Sequence, residues 1–300
     1  MYSCSKISVE LLRARPLLGT FVEVRALAPT GTQAERAVRA AFAAIARVHA
    51  LMSFHEPSSD LGRLNRDAAH RAVRVHAWTH LVLRHAQKLY ATTSGLFDIT
   101  TAPALVRGGW LPRGATPLPA AGGTSADLTL LAGHRVRFRR PLLLDLGGIA
   151  KGFAVDQAVA ALRRCGATAG TVNAGGDLRI FGPACEPVHV RRPESPGALH
   201  YLTNLQNSAL ATSAAYYAAR HLGGRLCAPV IDPRNGQPSR QSFSVSVQAR
   251  TCLLADALCK VVWLAGAGAA APILHRHRAQ AWVLNACRPT VQLIPSRHAA

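Results

Sequence analysis

The sequence predicts an α+β fold, and three observations carry that reading. Helical stripes and short apolar strand runs are mixed along 300 residues without a strict strand–helix–strand rhythm. Hydrophobic residues make up 49% of the chain, with polar positions interspersed, which is enough for a substantial core. No internal repeat or low-complexity linker divides the chain, so one domain over residues 1–300 is expected.

Taken in order, Leu17–Ala26 reads as the first strand. Thr32–Met52 then carries Ala34, Val38, Ala41, Ile45, Val48 and Leu51 at helical spacing. Ser58 or Ser59 suits the cap of a short helix running through Leu64. Trp78–Thr92 is a second amphipathic helix (Leu81, Leu83, Ala86, Leu89, Tyr90), and Gly95 stops it. Three prolines between Pro112 and Gly123 mark a loop. Strands follow at Val136–Phe138 and Leu142–Leu146, then a helix at Ala150–Cys165. Thr171–Val172, Leu178–Phe181, Val188–Val190, Tyr201–Leu205 and Phe243–Gln248 read as further strands. Thr251 caps a helix over Leu253–Leu264, Ala269–His277 forms a last helix, and Ala281–Leu284 and Val291–Ile294 are closing strands.

Composition excludes several classes. The formal net charge is +20, but only four basic residues are lysine (Lys6, Lys88, Lys151, Lys260), and the arginines are scattered. A nucleic-acid footprint needs a clustered basic face, and no zinc-finger, RRM or basic-zipper spacing occurs, so no nucleic-acid partner is expected. No run approaches the ~18–20 uninterrupted apolar residues of a membrane span. Met1–Arg15 lacks the apolar core of a secretory signal, so the chain as written is expected in the cytoplasm. The periplasmic face is the alternative if the gene start lies elsewhere. Seven scattered cysteines (Cys4, Cys165, Cys185, Cys227, Cys252, Cys259, Cys287) with no C-x-x-C point to neither a disulfide framework nor a zinc site.

Two glycine segments carry the chemistry. Leu144-Asp145-Leu146-Gly147-Gly148-Ile149-Ala150-Lys151-Gly152-Phe153-Ala154-Val155-Asp156 runs from an apolar stretch into a helix start, and Val172-Asn173-Ala174-Gly175-Gly176-Asp177 follows about twenty residues later. Glycine lets backbone approach a ligand, and a helix N-terminus offers amides to an anion. With Lys151 in the first turn, the segment makes a seat for a phosphate or pyrophosphate; tight packing is the alternative reason for such glycines. Seven of the nine aspartates (Asp60, Asp98, Asp145, Asp156, Asp177, Asp232, Asp256) sit in these or similar motif segments. Carboxylates are what a hard cation such as Mg²⁺ takes.

Further motifs are Leu18-Gly19-Thr20-Phe21-Val22-Glu23-Val24, Met52-Ser53-Phe54-His55-Glu56-Pro57-Ser58-Ser59-Asp60-Leu61 with Leu64-Asn65, and Gly95-Leu96-Phe97-Asp98-Ile99-Thr100. Ala211-Thr212-Ser213, Val230-Ile231-Asp232-Pro233-Arg234-Asn235-Gly236 and Ala255-Asp256-Ala257-Leu258 complete the set. In these segments and their order, over about Leu17–Val262, the chain resembles the FAD:protein FMN transferase family (ApbE-like flavin transferases).

The resemblance implies an α+β fold with FAD held in a cleft between two subregions. It also implies transfer of FMN from FAD to a Ser/Thr hydroxyl of an acceptor protein, with release of AMP and with Mg²⁺. The acceptor would carry a short flavinylation motif and belong to electron-transfer machinery. By the same resemblance, Met52, Leu96, Phe97 and Asp98 line the flavin or adenine. Asp145, Lys151 and Ile231 fall at further FAD-contacting positions, and Asp177 is placed with them. Gly148 lies near the metal, and Asp256 falls on the main metal-ligand position. Asp256 and Lys151 are the expected catalytic pair. Other roles stay open: Met52 and Phe97 as core, Asp98 and Asp177 as turn-holding carboxylates, Asp232–Gly236 as a turn, and Asp156 as solvent-exposed.

The sequence departs from the family pattern at three places. Lys260 stands where the family usually has a threonine that ligates the metal, and its i, i+4 spacing from Asp256 predicts an ion pair. Thr212-Ser213-Ala214-Ala215-Tyr216 lacks the usual glycine and acidic residue after the serine, and Ala228-Pro229 stands where a histidine is common. The alternative these departures raise is a relative that binds or hydrolyses FAD without efficient transfer.

Overall fold

β1 (Val9–Leu17) turns back into β2 (Thr20–Ala28) through Leu18 and Gly19, both at positive φ, as a two-residue hairpin requires. In β2, Val22, Val24, Ala26 and Ala28 are buried and alternate with outward residues, the period-2 signature of a one-sided strand. β1 is exposed along almost its whole length and carries no such alternation, so the sequence showed only its partner. The structure, a computed structural model, describes residues 8–295 apart from 115–116, 120–121, 194, 196, 216–217, 242 and 286–290. Tyr216, Cys4, Lys6, Cys287 and part of the expected 112–123 loop lie outside the described residues.

The chain continues through α1 (Gly31–Met52), α2 (Asp60–Asp67), β3 (Val73–Arg74), α3 (Ala77–Thr92) and α4 (Ala102–Arg107). Next come β4 (Leu128–Leu131), β5 (Arg135–Phe138), α5 (Ala150–Arg164), β6 (Ala169–Ala174) and β7 (Asp177–Phe181). β8 (Glu186–Arg191), β9 (Leu199–Leu205), β10 (Ala209–Ala214), β11 (Arg220–Leu222), β12 (Arg225–Cys227), β13 (Ile231–Asp232) and β14 (Gln237–Pro238) follow. β15 (Phe243–Ala249), α6 (Cys252–Arg276), β16 (Gln280–Asn285) and β17 (Val291–Ile294) close it. The α+β expectation holds: eight strands form one antiparallel sheet in the order β1-β2-β6-β7-β10-β15-β16-β17.

One face of this sheet carries three helices. α1 lies on β1 and β2, α5 on β6 and β7, and α6 on β10 and β15, with α5 between the other two. Because side chains alternate across a strand, Phe181 and Ala211 enter this core while Ile180 and Leu210 point the other way. There they pack with Val188, Val190, Leu202 and Leu205 of the β8–β9 hairpin. The helix caps follow the sequence: Ser59 accepts from Gly62 N–H at 2.9 Å, and Thr251 accepts from Leu254 N–H.

One expectation changes. Leu142–Leu146 forms no strand. Its backbone is paired with a side chain instead: Leu144 N–H donates to Asn65 Oδ1 at 2.8 Å, and Asn65 Nδ2 donates to Leu144 O at 3.0 Å. The two expected C-terminal helices stand: α6 is two helices joined at Gly266, whose backbone is non-helical with φ at 72°. α6 is long and apolar enough to cross a membrane by length and composition. Its first half, Cys252–Trp263, is mostly buried in the core and holds Asp256 and Lys260, as suits a central helix apolar on all sides.

Four histidines set a pH dependence of stability. Burial is the first cause that lowers the pKa of His76, His80, His85 and His277, and nearby cations or histidines add to it. Each therefore binds fewer protons folded than unfolded, so stability rises with pH from the lowered values up to the ordinary 6.5. Acidifying from about pH 7.5 to 6 is expected to lower Tm. The carboxyls that burial raises, Asp98, Asp145, Asp156 and Asp177, oppose this from the acid side, Asp177 reaching about 6. His76 Nδ1 accepts from Trp78 N–H at 3.0 Å, so His76→Asn, a cap that does not titrate, should flatten the slope in calorimetry across pH.

Candidate active site

The C-terminal end of α1, the Leu96–Thr101 segment, the start of α5, the β6–β7 turn and β10 converge on a cavity of about 1410 Å³. That exceeds the roughly 300–1,000 Å³ usual for a drug-sized ligand and suits a dinucleotide. Met52, Leu96, Phe97 and Ile231 supply apolar wall, while Gly148, Lys151 and Lys260 line the floor. Met52 and Phe97 are each only 4% exposed, so they serve both as core and as wall. The Phe97 N–H is pinned by Thr93 Oγ1 at 3.1 Å.

Asp98 and Asp145 also reach the cavity. Asp98 is occupied by its own turn, accepting from Ser125 Oγ at 2.7 Å and from Thr100 N–H and Oγ1 at 2.9 Å each. Burial raises its pKa against those bonds. Asp145 accepts from Gly147 N–H on Oδ1 at 3.1 Å, and Oδ2 has no donor among the described residues. Burial raises its pKa as well, with Gly147, Lys260 and His55 opposing.

Asp177 and Asp256 lie beneath the floor, each side chain 1% exposed and neither lining the cavity. Lys151 Nζ donates to Asp177 Oδ2 at 2.7 Å. Lys260 Nζ forms the expected ion pair with Asp256 Oδ1 and donates to the Asp256 carbonyl at 3.1 Å. The second carboxylate oxygen of Asp256 accepts from Gly152 N–H at 3.2 Å. The lysines, 34% and 22% exposed, thus stand between the carboxylates and the cavity.

Signs alternate across this quartet. Burial lowers the pKa of both lysines, but Asp177 and Asp256 outweigh it for Lys151, and Asp256 does so for Lys260; both end above the ordinary value. Burial raises Asp256, and the two ammoniums reverse that to hold it below the carboxylate range. Asp177 is pushed up by burial and by the Asp256 charge, only partly offset by Lys151. Like charges are kept apart, and each ammonium stays charged at neutral pH.

The quartet is held by a contact between α5 and α6. Asp156, buried rather than exposed as one reading had it, accepts from the Cys252 and Leu253 N–H groups at the start of α6, at 3.0 Å each. Arg179 pairs with it at 2.6 Å. Each helix therefore places a carboxylate on an N-terminal amide of the other. Nothing in the local sequence pairs Asp156 with α6, 96 residues away, although its place in a motif segment marked it. Asn65 stood in a quoted motif without an assigned role, and its role is the Leu144 clamp. Ala211–Ser213 forms the centre of β10, where Thr212 and Ser246 share a hydroxyl hydrogen bond at 2.8 Å. Asp232 holds Arg234 at 2.7 Å and a turn closed at Gly236, beside Ile231.

The residues present do not fit a divalent metal. Both oxygens of Asp256 already have donors, Asp177 is engaged by Lys151, and the ammonium of Lys260 has no lone pair to offer. Among the described residues no three His, Cys, Asp or Glu side chains are grouped to hold an ion. Cysteines 165, 185, 227, 252 and 259 form no disulfide.

A model of the ApbE family matches residues 18–284. The chain is 26% identical over 258 residues to the FAD:protein FMN transferase of Haemophilus influenzae, covering 79% of this chain and 75% of that one. It is 30% identical over 268 residues to the FAD:protein FMN transferase of Rhodobacter capsulatus, covering 83% of this chain and 50% of that relative's length. Among solved structures, the apo form of the Pseudomonas stutzeri flavinyl transferase ApbE matches with a TM-score of 0.81 at 21% identity, over 97% of this chain and 95% of that one. The Thermotoga maritima ApbE protein matches at 0.80 and 24%, over 95% of this chain and 96% of that one. At these identities the likeness to the solved structures is one of fold.

Proposed function

The chain belongs to the ApbE family, and from that premise we propose that it transfers FMN from FAD to a serine or threonine hydroxyl of an acceptor protein, releasing AMP. The observation that carries the proposal is a pair of lysine ammoniums on the floor of a dinucleotide-sized cavity with an apolar wall. The wall of Met52, Leu96, Phe97 and Ile231 takes the rings, and Lys151 and Lys260 face the pyrophosphate.

The acceptor oxygen attacks the phosphorus on the FMN side, the bridging P–O bond breaks, and AMP leaves with the bridging oxygen. Negative charge grows on the phosphoryl oxygens, where fixed cations stabilise it without reorganising. Of the motif aspartates only Asp98 and Asp145 line the cavity, and Asp98 is committed to its turn. Asp145, with Oδ2 open and a pKa raised by burial, is the acceptor of the hydroxyl proton. Asp256 acts through Lys260 as a positioning residue. The acceptor protein belongs by resemblance to electron-transfer machinery.

The test is covalent labelling: purified chain, FAD and an acceptor domain, read as flavin fluorescence on a denaturing gel. A labelled acceptor with stoichiometric AMP supports the transferase. AMP and FMN released without a labelled acceptor would instead establish FAD hydrolysis. Asp145→Asn should lower the labelling rate about a hundredfold with little change in FAD affinity. Loss of affinity and rate together would remove Asp145 from the base role.

A further inference from the structure

We infer that the Lys260 ammonium takes the place of a divalent cation at the FAD pyrophosphate, so that this chain binds and turns over FAD without metal. The inference rests on the transferase reading for its second half only. Lys260 is built into the floor at three points. Its Nζ is tied to the Asp256 carboxylate and to the Asp256 carbonyl, two acceptors from one residue. Its stem crosses Gly148, where an added Cβ would sit 3.5 Å from Cε. Its side chain is 22% exposed and lines the cavity, while Asp256 beneath it is 1% exposed.

An ammonium has three N–H donors, and Asp256 takes two, which leaves one for a phosphate oxygen. Lys151, anchored on Asp177 across the same floor, supplies a second fixed cation. Two ammoniums facing two pyrophosphate charges neutralise them one for one. A divalent ion entering here would have to displace Lys260 from Asp256 and leave that ammonium without its buried partner, at a cost that opposes metal binding.

Three readouts on the full chain test this. The first is FAD affinity, from flavin fluorescence, in EDTA and in excess Mg²⁺. The second is Mn²⁺ binding to the protein–FAD complex by electron paramagnetic resonance. The third is acceptor labelling in EDTA. The wild type is expected to bind FAD equally in both buffers, within about twofold, to bind no Mn²⁺ at the site, and to label in EDTA. Lys260→Thr frees Asp256 and offers a hydroxyl; its FAD affinity should fall about tenfold in EDTA and recover with Mg²⁺. Lys260→Met should lose the same affinity with no recovery. Wild-type FAD binding that collapses in EDTA, or Mn²⁺ bound stoichiometrically to the wild-type complex, would overturn the inference even if neither variant folds. Metal-independent FAD binding with no labelled acceptor in either buffer would overturn the transferase reading and leave the cation role of Lys260 intact.

Discussion

Replacing Gly152 with alanine is expected to lower Tm by roughly 5 °C, the equivalent of about 3 kcal/mol in a domain of this size. Gly152 lies in the first turn of α5, where α6 starts against it. A Cβ there would sit 2.7 Å from Leu253 N and closer still to the Cys252 carbonyl. Both are backbone atoms at a capped helix start, so they cannot swing away as a side-chain end would. Relief requires the helices to separate, which breaks the Asp156 bonds to Cys252 and Leu253 and the Gly152 bond to Asp256 together. The quartet loses its geometry with them, so FAD affinity should fall alongside Tm. Gly268, in the second half of α6, is the control: among the described residues nothing lies within 4 Å of its Cβ position. Gly268→Ala should leave Tm unchanged or raise it, since alanine is favoured over glycine in a helix by up to about 1 kcal/mol. Calorimetry on the two variants decides the matter; equal Tm values would mean that α5 and α6 do not need their close approach.

The same contact explains what was legible in the sequence. α1 and α3 were visible because their apolar stripes are local, and Ser59 and Thr251 announced the starts of α2 and α6. β1 was invisible because an exposed edge strand buries too little to impose a pattern. β10 was read as a motif rather than a strand because Ala209–Ala214 is built of small residues. Leu142–Leu146 looked like a strand because it is an apolar run, yet the partner that satisfies Leu144 is an amide side chain 79 residues away. The Asp256–Lys260 pair could be read from helical spacing alone. The Lys151–Asp177 pair could not, because it joins a helix start to a glycine turn through the tertiary fold.

Lys151→Met should cut acceptor labelling by about 10²–10³-fold, as expected when one preorganised donor to a developing oxyanion is lost. Methionine keeps most of the stem and removes the charge, so packing on the cavity floor changes little. The stability cost is separable from the catalytic one. Removing one partner of a buried ion pair typically costs about 3–5 kcal/mol, because the other charge is stranded. Here the stranded group is Asp177, whose carboxyl is already pushed up to about 6 by burial and by Asp256. Without Lys151 it rises further and takes a proton, which limits the loss, and more so at lower pH. Lys151→Met should therefore be least destabilised relative to wild type in mildly acidic buffer. The Lys151→Met/Asp177→Asn double variant should recover most of the lost Tm, since no buried charge is left alone. It should recover none of the labelling rate, since the ammonium that meets the phosphate is still missing. A double variant that regained activity with stability would show that Lys151 serves the fold through Asp177 and not the phosphoryl group.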